Sequence, residues 1–145
     1  IENGTQYGDE WLTGFENTAS YKIDSSSGES LVESFYKLYL ATYCSMCSDL
    51  NSKLQSLRLS NLSHTALEQF KGVELENLQD GFGGYDLLIT NFDFDCMWFH
   101  SLKVVPLEPD NYQVTYQAGK YMHQINIQTV YRDGRYWINA ITGVR

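Results

Sequence analysis

The fold is decided by residues 123–141, which read HQINIQTVYRDGRYWINAI. Ile125 and Ile127 belong to an apolar set that alternates with Gln and Asn side chains, and this period of two is typical of a strand with one buried face. Asp133 and Gly134 tolerate the positive φ angles of a tight primed turn. They therefore predict a hairpin that leads into a last strand ending near Ile141.

Two more strands are predicted before this hairpin. Residues 102–107 are rich in Val and Leu, and the Pro and Asn at 109 and 111 indicate a turn after them. Tyr112, Val114 and Tyr116 then alternate with polar residues, which indicates a second half-buried strand. Residues 102–141 therefore predict three or four consecutive antiparallel strands.

The region before the sheet has the spacing of helices. From residue 29 to about residue 57, apolar side chains recur every three or four positions, which places them on one helix face. The residues of this stripe are Val32, Phe35, Tyr36, Tyr39, Tyr43, Met46, Leu50, Leu54 and Leu57. We expect the helix to start after the N-cap candidates of residues 24–28 and to break within 45–51, and we expect a short second helix at 63–70 capped by Ser63.

Length and charge limit the number of domains, the fold class and the kinds of partner that this chain can have. A chain of 145 residues suits one domain, which we place at residues 29–145 behind an irregular N-terminal arm at residues 1–28. Helices followed by a β-meander predict an α+β fold with helices on one sheet face. The net charge of −8 would repel a phosphate backbone, so nucleic acid is not expected as a partner.

Sequence signals for catalysis and membrane insertion are lacking. Residues 80–86, DGFGGYD, form a glycine-rich loop without the spacing of a phosphate loop, and neither a Gly-x-Ser-x-Gly nor a His-Glu-x-x-His motif occurs. No stretch is long and apolar enough to span a membrane. We therefore expect no catalytic residues and no cofactor. The chain begins with Ile1 rather than Met, which we take as a hint of export.

Five segments occur in this order along the chain: FYKLYL (35–40), YDLL (85–88), NFDFD (91–95), residues 98–104 and DGRYWINAI (133–141). Together they resemble a family of exported bacterial proteins of unknown function in the nuclear transport factor 2-like, cystatin-like superfamily. The resemblance covers roughly residues 30–141. It implies a long helix cradled by a curved antiparallel sheet, a cone whose wide end can hold a pocket, and export to the periplasm or outer membrane, often as a lipid-anchored precursor. It brings no established catalytic residues.

The last strand departs from the family pattern because two aromatic residues are adjacent in it. Since neighbouring strand residues face opposite sides, we expect Tyr136 and Ile138 to face the helices and Trp137 to face outward. An outward Trp is a candidate contact residue, as is Trp11 in the arm.

The cysteines allow two interpretations. Cys44, Cys47, Cys96 and His100 could form a tetrahedral zinc set, but the first two lie within the predicted helix, where a thiol behaves as a small hydrophobe. We therefore expect no metal site and favour buried thiols or a disulfide. In an exported protein, either Cys44 or Cys47 could pair with Cys96.

Carboxylates and tyrosines could line the mouth of the cone. Asp86, Asp93 and Asp95 lie near His100, and enzymes of the superfamily use a pocket Asp or His with Tyr hydroxyls for proton abstraction. Because caps and core tyrosines explain the same residues, we treat these positions as a candidate ligand pocket with no catalytic assignment. The candidate pocket residues are Tyr36, Tyr39, Tyr116, His123, Asp93 and Asp95.

The leading hypothesis is a non-enzymatic module of the bacterial cell envelope that binds a small molecule, a peptide or an envelope protein. A homodimer through the outer sheet face is a further option that the superfamily suggests. The first alternative is a small pocket enzyme of isomerase or dehydratase type. The second is an immunity protein whose acidic surface binds a basic toxin.

Overall fold

The computed structural model describes residues 21–45, 48–81, 83, 85–90 and 95–144. The arm residues Trp11 and Phe15 lie outside these ranges. Within these ranges, four helices precede or adjoin one sheet of four antiparallel strands in the order β1-β2-β3-β4. The elements are α1 Gly28–Cys44, α2 Leu50–Asn61, α3 His64–Gln79, α4 Trp98–Ser101, β1 Lys103–Glu108, β2 Asn111–Ala118, β3 Tyr121–Arg132 and β4 Arg135–Val144.

The start of α1 follows from its cap and from a close packing contact. Ser27 Oγ accepts the Ser30 N–H at 3.1 Å, and Glu29 lies in the first turn, where the helix dipole favours an anion. A Cβ atom added to Gly28 would lie 2.6 Å from Tyr112 Oη and 2.7 Å from Thr129 Oγ1. Glycine therefore lets the first turn of α1 approach the sheet.

The described residues of the long apolar stripe are divided between two helices, and Met46 lies outside the described residues. Because α1 ends at Cys44 and α2 begins at Leu50, the predicted break within 45–51 is confirmed. Ser63 caps α3 as predicted, since its Oγ accepts the Ala66 N–H at 3.2 Å. The helix continues to Gln79, well beyond the predicted end near residue 70.

The sheet has the predicted meander, and it is curved. Asp133 and Gly134 have φ angles of 54° and 81°, as a primed hairpin turn requires. The pairing of β3 with β4 shifts register between Asn126 and Ile127 and again between Gln128 and Thr129. Such irregularities bend a sheet. The fold is α+β, with helices packed on a curved antiparallel sheet, consistent with a nuclear transport factor 2-like cone.

The free edge of β4 is covered by the junction of α2 and α3. The Ser63 N–H donates to the Ile138 carbonyl at 2.8 Å, and the Gln69 side-chain amide bonds both the N–H and the carbonyl of Ile141. These contacts satisfy edge groups that would otherwise be open to another strand.

The main core fills the space between α1 and the inner sheet face. Its largest fully buried side chains are Tyr36, Tyr39, Tyr116, Phe35, Leu31, Leu40, Leu62, Leu88, Ile89, Ile125, Ile127 and Ile138. Tyr136 packs against this core and Ile138 is fully buried, so their predicted inward orientation is confirmed.

Candidate functional site

The three candidate pocket tyrosines lie inside the cone, and their hydroxyls all bond residues 86–89. Tyr36 Oη donates to the Leu88 carbonyl at 2.8 Å, Tyr39 Oη donates to Asp86 Oδ2 at 2.6 Å, and Tyr116 Oη donates to the Ile89 carbonyl. All three side chains are fully buried. They anchor this segment against α1 and β2, and their assignment as ligand contacts stays a prediction.

Asp86 is the polar centre of this interior. Its Oδ2 accepts the hydroxyls of both Tyr39 and Tyr43 at 2.6 Å, and its Oδ1 accepts the Leu88 N–H at 2.9 Å. Arg58 Nη1 donates to Tyr39 Oη at 2.8 Å. Both carboxylate oxygens are therefore engaged, which suits a structural anchor better than a proton acceptor.

Burial and the Asp86 carboxylate act together on the tyrosines around them. Burial, followed by the charge of Asp86, raises the pKa of Tyr39 and Tyr43 well above the ordinary value. Burial also raises the pKa of Tyr36, with a further contribution from Asp86. These hydroxyls are held protonated as donors.

His123 is the outermost ring of an aromatic stack. The Trp98 and Tyr116 ring centroids are 4.7 Å apart, and those of Tyr116 and His123 are 5.1 Å apart, both in stacked orientation. The stack joins α4 to β2 and β3. His123 is half-buried, so it is the member of the candidate pocket that meets solvent at this end.

The structure describes one of the two carboxylates of the candidate pocket. Asp95 is exposed, and its Oδ1 accepts the Met97 N–H at 2.9 Å, which caps the turn before α4. Asp93 lies outside the described residues. His100 is exposed on α4, with its ring 6.0 Å from that of Phe99.

Thr90 is a strained residue that the sequence did not reveal. Its φ angle is 51°, which is unfavourable for a β-branched side chain, and it is 8% exposed. Its Oγ1 finds no hydrogen-bond partner among the residues that the structure describes. Positive φ at a Thr has no sequence signature, and Thr90 directly follows the Leu88 and Ile89 carbonyls that Tyr36 and Tyr116 bind.

Cys44 and Cys96 form a disulfide that ties the end of α1 to the residues before α4. This is one of the two pairings that the sequence left open. Cys47 lies outside the described residues. Within the described ranges, no group of three or more His, Cys, Asp or Glu side chains could hold a metal ion.

The outer sheet face is the opposite surface of the same strands. By strand alternation and pairing it comprises Lys103, Val105, Glu108, Asn111, Gln113, Thr115, Gln117, Met122, Gln124, Asn126, Gln128, Val130, Arg132, Arg135, Trp137, Asn139 and Ala140. Gln113 Nε2 donates to Asn126 Oδ1 at 3.3 Å, and Asn139 Nδ2 donates to Gln128 Oε1 at 3.3 Å. Among these residues Glu108, at the end of the edge strand β1, is the one carboxylate, and the other three charged side chains are basic.

Trp137 lies at one end of this face in a fixed orientation. The Arg135 guanidinium stacks 4.2 Å from its ring centroid, and its Nε1 donates to the Arg132 carbonyl at 2.9 Å. Arg135 also donates to Asn61 Oδ1 at 2.9 Å, which connects β4 to the end of α2. The indole is thus held as a rigid, partly exposed surface.

None of the helices in the described part of the chain has the length and apolar character needed to cross a membrane.

Comparisons with known proteins identify a neighbour in fold. The structure is similar to the crystal structure of a protein of unknown function from Bacteroides thetaiotaomicron VPI-5482. The TM-score is 0.62 at 20% sequence identity, and the match covers 97% of this chain and 94% of the other. No protein-family model matches the sequence, and no curated protein matches it. At this identity the likeness shows a shared fold.

Proposed function

We propose that this chain is a non-enzymatic protein-binding module of the bacterial cell envelope, and that it binds through the outer sheet face. The first partner we assign to this face is a second copy of the chain. We further propose that it belongs to the exported nuclear transport factor 2-like family that its sequence resembles. The observation that carries the proposal is the scarcity of carboxylates on the described outer sheet face of a chain with net charge −8, where Glu108 at the end of the edge strand β1 is the one acidic side chain.

Electrostatics favours this face for contact between two copies. Two chains of charge −8 repel each other, and desolvating carboxylates at a contact would add to that cost. The acidic side chains of the helices, such as Glu33, Glu68 and Glu74, lie on other elements. When two outer sheet faces meet, these charges point away from the contact.

The side chains of the outer sheet face are also complementary to themselves. The amides of Gln113, Gln124, Asn126 and Gln128 each carry a donor and an acceptor. A two-fold symmetric contact places the same patch on both sides, so it needs groups that can bond their own kind. Amides meet that requirement, whereas charged side chains do not.

The size of the face is near the lower end of what a specific contact needs, which suits a reversible dimer. Strands spaced about 4.8 Å apart, with about 3.3 Å per residue, give this four-stranded sheet a flat area of about 500–750 Å². Specific interfaces bury about 800 Å² on each partner. Trp137, held rigid by Arg135, adds the kind of aromatic anchor that is enriched in such interfaces.

The disulfide supports the assignment to the envelope. Cys44–Cys96 joins segments 52 residues apart, and such bonds persist in oxidising compartments such as the periplasm.

The curved sheet around α1 and the order of the resembling segments support family membership. A pocket enzyme is disfavoured because residues 86–89 already accept hydrogen bonds from the hydroxyls of Tyr36, Tyr39 and Tyr116.

Sedimentation equilibrium of the oxidised protein tests the proposal. We expect a reversible dimer, and we expect Asn126→Asp to raise its dissociation constant more than about tenfold, because like charges brought together at an interface cost several kcal/mol. Gln55→Glu adds the same charge on the exposed surface of α2 and serves as the matched control. A wild-type monomer at millimolar concentration, or an equal effect of both substitutions, would contradict the proposal.

A further inference from the structure

A groove lies between α2 and α3, apart from the outer sheet face. It has a volume of about 220 Å³, and its apolar wall is formed by Leu59, Leu67 and Phe70. Leu59 is 58% exposed although it borders this apolar surface. Exposed leucines beside a concave apolar wall are typical of a surface that receives an apolar ligand.

Two cations border the groove. Arg58 and Lys71 line it together with one carboxylate, Glu74. Neither cation forms an ion pair with a carboxylate of the described residues. In a chain of net charge −8, a locally basic rim around an apolar wall is a distinct electrostatic feature.

The Arg58 guanidinium is held in place before any ligand arrives. Its Cζ lies 4.4 Å above the centre of the Phe70 ring, and its Nη1 donates to Tyr39 Oη at 2.8 Å. Tyr39 in turn bonds Asp86, so the position of Arg58 is fixed from the core outward. The remaining N–H donors of a planar, oriented guanidinium match a carboxylate well.

The apolar wall continues along α3 beyond the groove. Leu75 and Leu78 follow Lys71 by four and seven residues, which places them on the same helix face. They are 49% and 59% exposed. A ligand with an extended tail could therefore cover more apolar surface than the groove alone offers.

From these contacts we infer that the groove binds an aliphatic carboxylate. The carboxylate pairs with Arg58 and Lys71, and the alkyl chain packs on Leu59, Leu67 and Phe70. The inference does not depend on the proposed function, because the groove and the outer sheet face share no residues.

Methyl-resolved NMR titration with decanoate, kept below its micelle concentration, tests the inference. We expect saturable shifts at Leu59 and Leu67. Acetate, which has the charge but no tail, and decyltrimethylammonium, which has the tail but the opposite charge, should each produce much smaller shifts. Equal shifts with the cationic compound, or decanoate shifts spread over distant methyls such as those of Val105 and Leu107, would overturn the assignment.

Surface substitutions provide a second readout that leaves the core intact. Lys71→Gln should weaken decanoate binding about two- to fivefold, as expected for a partly exposed ion pair. Leu59→Ser should weaken it about tenfold by removing apolar contact. Lys120→Gln, in the turn between β2 and β3, is the matched control and should leave affinity unchanged. Equal affinities of the Lys71 and Lys120 variants would also overturn the assignment.

Discussion

The two faces of the same four strands differ in what their side chains do. On the inner face, Tyr116, Ile125 and Ile127 are fully buried. On the outer face, Thr115, Gln124 and Asn126 remain partly exposed and carry no charge. Strand alternation explains why one face is apolar, but it does not require the other face to carry only a single carboxylate, Glu108, among the residues that the structure describes. The comparison teaches that the inner face accounts for the fold, and that the composition of the outer face calls for a separate explanation.

The effect of substitution on the free energy of unfolding should differ most between two neighbouring residues of β2 that lie on opposite faces. Tyr116→Ala should lower the free energy of unfolding by about 3–5 kcal/mol, because it empties a buried site and breaks the stack with Trp98 and His123. Thr115→Ala, one residue away on the outer face, should cost less than about 0.5 kcal/mol. Urea unfolding of both variants measures the contrast, and similar costs would break it.

Replacing Asp86, the polar centre of the inner side, should lower the free energy of unfolding by nearly as much. Asp86→Ala leaves the Tyr39 and Tyr43 hydroxyls and the Leu88 N–H without their acceptor, at a cost of about 3 kcal/mol. Asp80→Ala removes an exposed carboxylate at the end of α3 and should have little effect. A small loss at Asp86 would mean that the tyrosines find other acceptors.

The tyrosines also predict how stability depends on pH. Since burial raises the pKa of Tyr36 in the folded state, the folded chain retains this proton above the ordinary value of about 10, whereas the unfolded chain releases it. Stability is complete below about pH 10 and falls above it, by about 1.4 kcal/mol per pH unit for each such group. Tyr36→Phe should reduce the slope of unfolding free energy against pH by that amount. An unchanged slope would contradict this explanation.

Alanine substitutions at two glycines should change the stability by smaller amounts and in opposite directions. Gly28→Ala should destabilise by about 1–2 kcal/mol, because its Cβ would meet Tyr112 and Thr129. Gly72→Ala, in α3 with open space around it, should stabilise by about 0.5–1 kcal/mol through helix propensity. Thermal unfolding of both variants checks the signs, and stabilisation by both would show that the sheet yields at Gly28.

Local patterns predicted most of this fold. The helical stripe, the Ser63 cap, the alternation in β2 and β3 and the hairpin at residue 133 each follow from interactions between near neighbours in sequence. The extension of α3 to Gln79 was missed because Gly72 and the polar residues around it weaken helix propensity.

The interior of the candidate site could not be predicted, because it depends on contacts between distant residues. Asp86 meets Tyr39 and Tyr43 across separations of 47 and 43 residues, and only the assembled fold brings them together. The choice of Cys44 as the partner of Cys96 likewise depends on where α1 ends. One signal was present: Asp86 is an acidic residue within the otherwise apolar YDLLI, residues 85–89. A buried carboxylate there needs donors, and the tyrosines of α1 provide them.

The most direct test of the outer sheet face is the concentration dependence of the side-chain amide resonances of Asn and Gln in NMR spectra. If two copies meet through this face, the resonances of Gln113, Gln124, Asn126 and Gln128 should shift between dilute and concentrated samples, while that of Gln55 on α2 stays fixed. If all these resonances keep their positions over that range, or if Gln55 moves as much as the sheet amides, the outer sheet face is not where this protein binds its copy.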